Sequence, residues 1–237
     1  MFLLLARNRM LGQECDNVRP GLRFFSVDTY KAAETILVRK TKIVLLGTAA
    51  AVIYGIVHDQ ITARLCVEYF TIAHPPLFPT DSPTILGICW GIAATIGVGA
   101  LLGALLALVS QSDNLPPLPV RRVLKPILVL LAATAISAAL AGLLGFELSR
   151  RAIVGLPATF AELVPASRHH RFMAVWFAHG ASYLVGVSGG ALVILRIWRQ
   201  RGGPRVLSVF PRTKGAILRA LFLVAIAGLV VWFRFAK

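Results

Sequence analysis

What most limits the folds open to this chain is a series of long apolar runs. Residues 43–57, 84–109, 126–146, 172–195 and 217–233 hold no Lys, Arg, Asp or Glu apart from Arg219. With 57% hydrophobic residues in 237, the chain carries more apolar side chain than a soluble domain of that size can enclose. A helix of about 20 apolar residues crosses the roughly 30 Å hydrocarbon layer, and helix is the form in which each backbone polar group is paired inside its own segment. The expectation is an all-α, polytopic transmembrane helix bundle of about five spans, near 43–60, 84–109, 126–146, 172–195 and 217–233, following a basic arm over 1–42.

The first run is the shortest. Its 15 residues make about 22 Å of helix, so His58 and Asp59 are expected at or just below the membrane boundary. A straight helix over 43–73 would be about 46 Å long, which requires a tilt, a bend or a projection beyond the lipid. In the arm, Val27, Tyr30, Ala33 and Leu37 recur at helical steps after Asp28, the pattern of a helix lying on the membrane surface before the first span. In the later runs small residues recur every fourth position: Gly87, Gly91, Thr95, Gly99 and Gly103 in one, Thr134, Ala138 and Gly142 in the next, Ala178, Ser182, Gly186 and Gly190 in the one after. Such seams let helix backbones approach closely.

The formal net charge is +15. In a soluble protein that would suggest nucleic acid. Here the basic residues lie between apolar runs, where they orient the chain and meet anionic headgroups, so the expected partner is a bilayer with anionic lipids and no nucleic acid. With five spans, alternate segments carry 17 and 7 Lys plus Arg. The richer side is expected to be cytoplasmic, with the amino terminus inside and residues 58–83 outside. The opening MFLLLA is too short for a signal-peptide core and no cleaved leader is expected.

Residues 58–83, HDQITARLCVEYFTIAHPPLFPTDSP, hold most of the side chains able to do chemistry. As a helix the segment is amphipathic, with Gln60, Arg64, Glu68 and Thr71 on one side and an Arg64–Glu68 pair at four-residue spacing. One reading is an interfacial helix with an internal ion pair. The other collects His58, Asp59, Glu68 and His74 as ligands of a divalent metal such as zinc, since imidazole and carboxylate suit it. On one straight helix His58 and Glu68 are about 15 Å apart, so such a site needs the His-Pro-Pro turn to fold His74 back, or His179 and Glu147 to come from other helices. His179 lies within a span, where an ionisable group is a functional candidate or a helix-to-helix hydrogen bond. Thr159 and Glu162 have the spacing of a capping box, and His169 and His170, between Arg168 and Arg171, suit the headgroup level. Three cysteines, Cys15, Cys66 and Cys89, show neither metal-type spacing nor a disulfide framework.

The string HDQITARLCVEYFTIAHPP resembles a segment of uncharacterised bacterial multi-span membrane proteins, in which a similar His-Asp-Gln to His-Pro-Pro string follows the first span. That resemblance implies a bacterial cytoplasmic membrane location and no particular activity. No nucleophile elbow, phosphate loop, dinucleotide fingerprint or His-Glu-x-x-His motif is present. Three functions stay open: a non-catalytic accessory or scaffold, with a protein partner or a second copy; an outward-facing metal-dependent membrane enzyme; and a small-solute or proton-coupled transporter using His179 and Glu147.

Overall fold

The computed structural model describes residues 27–111 and 116–201. The run at 217–233 and the first 26 residues of the arm lie outside them. The described residues are helical, with no strand among them: α1 Val27–Leu65, α2 Glu68–Ile72, α3 Pro83–Ser110, α4 Val120–Arg150, α5 Ala158–Ala161 and, after a 3-10 turn at Ala166–Arg168, α6 His169–Gln200. Among the described residues, three stretches are long and apolar enough to cross a membrane: Pro83–Ser110, Val120–Arg150 and Ala166–Gln200. The chain forms two compact units, 1–37 and 38–237. Of the first, the described part is helical and carries exposed Tyr30 and Leu37. The second holds the three long apolar helices.

The elements start and stop where local chemistry requires. Pro83 opens α3 at a position that needs no backbone N–H donor. α1 ends at Leu65, and the chain re-enters helix at Glu68 after the Cys66–Val67 break. This break is the bend that the length of 43–73 required. It also takes Arg64 and Glu68 off a common helix, so the expected pair does not form. Arg64 instead donates to the Gln60 side chain and to Thr84 Oγ1, while Glu68 is held by Arg168 at 3.3 Å. Thr159 does not cap either: α5 is preceded by Pro157 and has no side-chain cap.

α3 lies against α1 along the seam of small residues. A Cβ built on Gly91 would stand 2.6 Å from the backbone of Ile56, and one on Gly103 2.9 Å from the carbonyl oxygen of Val44. At these crossings only glycine lets the two backbones approach. α4 packs on α6, where Gly145 meets Met173 and Phe177. The outward faces carry Leu45, Ile53, Ile92, Ile136, Leu143 and Leu192 exposed, an apolar exterior that suits lipid and not water.

Buried side chains collect in two groups. One joins Phe70, Leu86, Phe172, Val175 and Trp176 at the end holding residues 63–86. The other joins Ile43, Leu105, Val123, Ile127 and Ile197 at the opposite end. There Arg201 closes the bundle, donating to the carbonyls of Val109 at 2.9 Å and Pro116 at 3.0 Å, which satisfies a helix-terminal acceptor and places a cation at a helix carboxyl end. Between the two groups the lining is mainly small residues, and α1, α3, α4 and α6 part around a cavity of about 500 Å³. Gly186 belongs to the α6 seam, yet a Cβ there would meet nothing within 4 Å, because it opens on this cavity.

Candidate metal centre

His58 and Asp59 stand seven and six residues before the end of α1, at the level where α3 comes closest: a Cβ on Gly87 would be 3.0 Å from the Asp59 carbonyl carbon. Having no side chain at Gly87 is what lets α3 cover Asp59, which is 5% exposed. From the other side of the cavity α6 brings His179, 3% exposed. One ligand atom from each of His58, Asp59 and His179 lies within 4.8 Å of the others, and they are the one such His/Cys/Asp/Glu group among the described residues.

The hydrogen bonds define the electronic state of this group. His179 Nδ1 is 3.0 Å from the carbonyl oxygen of Val175, which can only accept, so Nδ1 carries a proton and donates. Its Nε2 then faces Asp59 Oδ1 at 3.2 Å. Two lone pairs cannot meet at that distance inside a low-dielectric bundle. Either a proton lies between them, carried by Nε2 or by the Asp59 carboxyl, or a metal cation does. His58 Nε2 is buried and has no hydrogen-bond partner. A zinc tetrahedron with bonds of roughly 2.0–2.1 Å has edges of about 3.3 Å. The His179–Asp59 separation of 3.2 Å matches one such edge, and the His58 ligand atom lies within 4.8 Å of both.

Aromatic rings fix the imidazoles. The ring of His58 stacks on Tyr54 at 5.7 Å and meets the edge of His179 at 4.6 Å, while His179 also touches Tyr69 at 4.7 Å and Phe70 at 5.7 Å. Tyr54 shares a 2.8 Å hydrogen bond with Ser182, tying α1 to α6 beside the site.

Of the residues singled out in the sequence, the structure unites His58, Asp59 and His179 and leaves the others apart. The expected quartet of His58, Asp59, Glu68 and His74 is not assembled. Glu68 lies beyond the helix break, bound to Arg168 and accepting from the Cys66 thiol at 3.2 Å. His74 does fold back, as the His-Pro-Pro turn allows, and lines the cavity. Its Nδ1 donates to the Tyr69 carbonyl at 2.9 Å, and its ring packs on Phe70 and Trp90. Burial holds this imidazole below its usual range, the Tyr69 carbonyl opposing in part. With Phe78 packed on Trp90, the loop shields the polar end of the cavity. Glu147 does not reach His179; its side chain is 44% exposed and pairs with Arg150 at 3.0 Å and Arg151 at 3.5 Å. His169 and His170 bond to the Val164 carbonyl and Ser149 Oγ. Sequence reasoning did not single out Tyr54, although it lies one turn before His58, a spacing that places both on one face.

Cys66 gives a check on this end of the bundle. Burial and the neighbouring Glu68 carboxylate push its thiol up to about 12, so almost no thiolate forms near neutrality. In a Cys15→Ser, Cys89→Ser background, maleimide at pH 7.5 is expected to label Cys66 at least ~100-fold more slowly than a free thiol of pKa about 8.5, with full labelling after denaturation. Fast labelling of the folded protein would contradict the Cys66–Glu68 contact.

No protein-family model, no curated protein and no solved structure matches this chain.

Proposed function

We propose that this is a multi-pass protein of the bacterial cytoplasmic membrane whose working part is a divalent-metal centre formed by His58, Asp59 and His179, and that it acts as a metal-dependent membrane enzyme in the outer half of the bilayer. One observation carries the reading: a proton-bearing Nδ1 on His179 leaves Nε2 and a carboxylate oxygen facing each other at 3.2 Å beside a buried, unpartnered His58 nitrogen. Two imidazoles and one carboxylate are a donor set for zinc or ferrous iron. Three protein ligands leave a coordination position open, as catalytic rather than structural centres do. The cavity leads to that position.

The orientation is supported by charge. Residues 39–42, 118–125 and 196–201, at the Arg201 end, carry nine Lys or Arg and no acid, whereas 58–83 and 147–171 carry five basic and five acidic residues. The Arg201 end is then cytoplasmic and the metal centre lies toward the outside. In this arrangement α1 crosses the membrane with the three long apolar helices.

The test is metal analysis of protein purified without chelator from metal-replete cells. About one divalent ion per chain is expected for the wild type, and less than a tenth of that for His58→Ala and His179→Ala. Sub-stoichiometric metal in the wild type would mean that a proton occupies the gap, leaving a hydrogen-bonded His179–Asp59 pair that joins α1 to α6 in a non-catalytic scaffold.

A further inference from the structure

The cavity and the metal centre have complementary shapes of polarity. At the outer end the lining is Tyr54, His58, Asp59, His74, His179, Ser182 and Tyr183, and from there inward as far as Gly103, Leu106, Ile127 and Ile194 the polar side chains are Thr95 and Thr134, whose hydroxyls are tied to the carbonyls of Gly91 and Leu130. Along α6 the lining runs from His179 to Ile194 and along α3 from Trp90 to Leu106, about 22–24 Å at ~1.5 Å per residue. That is longer than one leaflet's share, about 15 Å, of a hydrocarbon layer of roughly 30 Å. A volume of about 500 Å³ falls within the ~300–1,000 Å³ of sites that enclose one small ligand. We infer that this cavity takes the hydrocarbon chain of a single-chain lipid with an oxygen-bearing head, a long-chain fatty acid or its acyl ester, the chain lying toward Gly103 and the head oxygen at the His58, Asp59 and His179 group.

Three features select this occupant over a water-soluble solute. The helices lining the cavity present leucine and isoleucine outward, so the surrounding medium is itself hydrocarbon chain. The inner hydroxyls of Thr95 and Thr134 are already bonded to helix carbonyls and the rest of the inner lining is apolar, which leaves a polar solute desolvated and unpaired. At the outer end the Phe78–Trp90–His74 packing stands between the site and the aqueous side. The inference deepens the metal-centre reading, on which the placement of the head oxygen at a cation rests.

Gly186 allows a clean test, since a side chain there enters the cavity without meeting the fold, whereas Gly97 is also open but is exposed outside it. Binding of radiolabelled palmitate to the full chain in lipid nanodiscs is measured for the wild type, Gly186→Phe and Gly97→Phe, with octanoate as competitor and metal content determined on the same samples. The wild type is expected to bind about one palmitate per chain saturably. Gly186→Phe is expected to weaken binding at least tenfold while keeping its metal, Gly97→Phe to match the wild type, and octanoate to compete at least tenfold less well than unlabelled palmitate. Metal-loaded protein that binds no palmitate, or binds it equally with Phe at 186, overturns the lipid assignment and leaves the metal reading standing. Metal-free protein that binds palmitate in a Gly186-dependent way keeps the chain site and removes the cation from the head.

Discussion

Asp59→Ala is expected to cost about 1–3 kcal/mol of stability in metal-stripped protein, because it leaves His179 Nε2 buried without its hydrogen-bond partner. In the metal-loaded protein the same substitution removes the one anionic ligand, so ion binding should fall at least ~100-fold. The decisive comparison is the double variant Asp59→Leu, His179→Leu. Replacing both members of a buried pair with apolar residues of similar volume is often neutral or stabilising. The double variant should therefore unfold near the wild-type temperature in the same detergent while binding no metal. Thermal unfolding with and without chelator separates the two contributions. If Asp59→Ala is as stable as the wild type in chelator, no hydrogen bond is held between α1 and α6 there and the account of the 3.2 Å contact is wrong.

The second large effect concerns the crossing that supports the site. Gly91→Leu should be the most disruptive change in α3, since its Cβ would lie 2.6 Å from both the N and the Cα of Ile56 and 2.7 Å from the Gly55 carbonyl carbon. These are backbone atoms, which cannot rotate aside, so the two helices must separate. Overpacking in a well-filled core costs about 1–3 kcal/mol where side chains can adjust, and a backbone clash should lie at or above the top of that range. Because Ile56 is three residues from Asp59, parting the helices also opens the metal centre. Gly91→Leu is expected to lose both thermal stability and bound ion, and Gly97→Leu, open to its surroundings, to lose neither. Equal melting temperatures for the two variants would show that α1 and α3 do not meet at this register.

The two effects share a cause, which is that the chemistry sits where two backbones touch. Asp59 is covered because Gly87 has no side chain, and His179 reaches it because Ser182 and Tyr54 hold α6 to α1. A seam of small residues and a titratable group on neighbouring helices are thus one construction. In a bilayer the glycine seam supplies the close packing that hydrophobic burial does not provide between helices.

The apolar runs and their period were enough to make the described chain helical, to place three long apolar helices and to mark the seam on α3, because a single apolar run pairs its own backbone in lipid only as a helix and glycine at every fourth position serves close packing. The sequence also marked His179 as a candidate from the cost of an ionisable group within a span, and His58 and Asp59 because imidazole and carboxylate suit a divalent metal. It did not say which of them meet. His58 and His179 come together across 121 positions through the approach of α1 and α6, a contact that periodicity within one helix cannot express. The Arg64–Glu68 pair assumed an unbroken helix, whereas a ligand set with Glu68 needed the chain to leave one, since His58 and Glu68 are about 15 Å apart on a straight helix. The break after Leu65 was decided by packing of Cys66, Tyr69 and Phe70 against α6, and it turned Glu68 toward Arg168. The cavity is likewise a product of assembly, since Gly186 reads as one more step of a seam until four helices are seen to part around it.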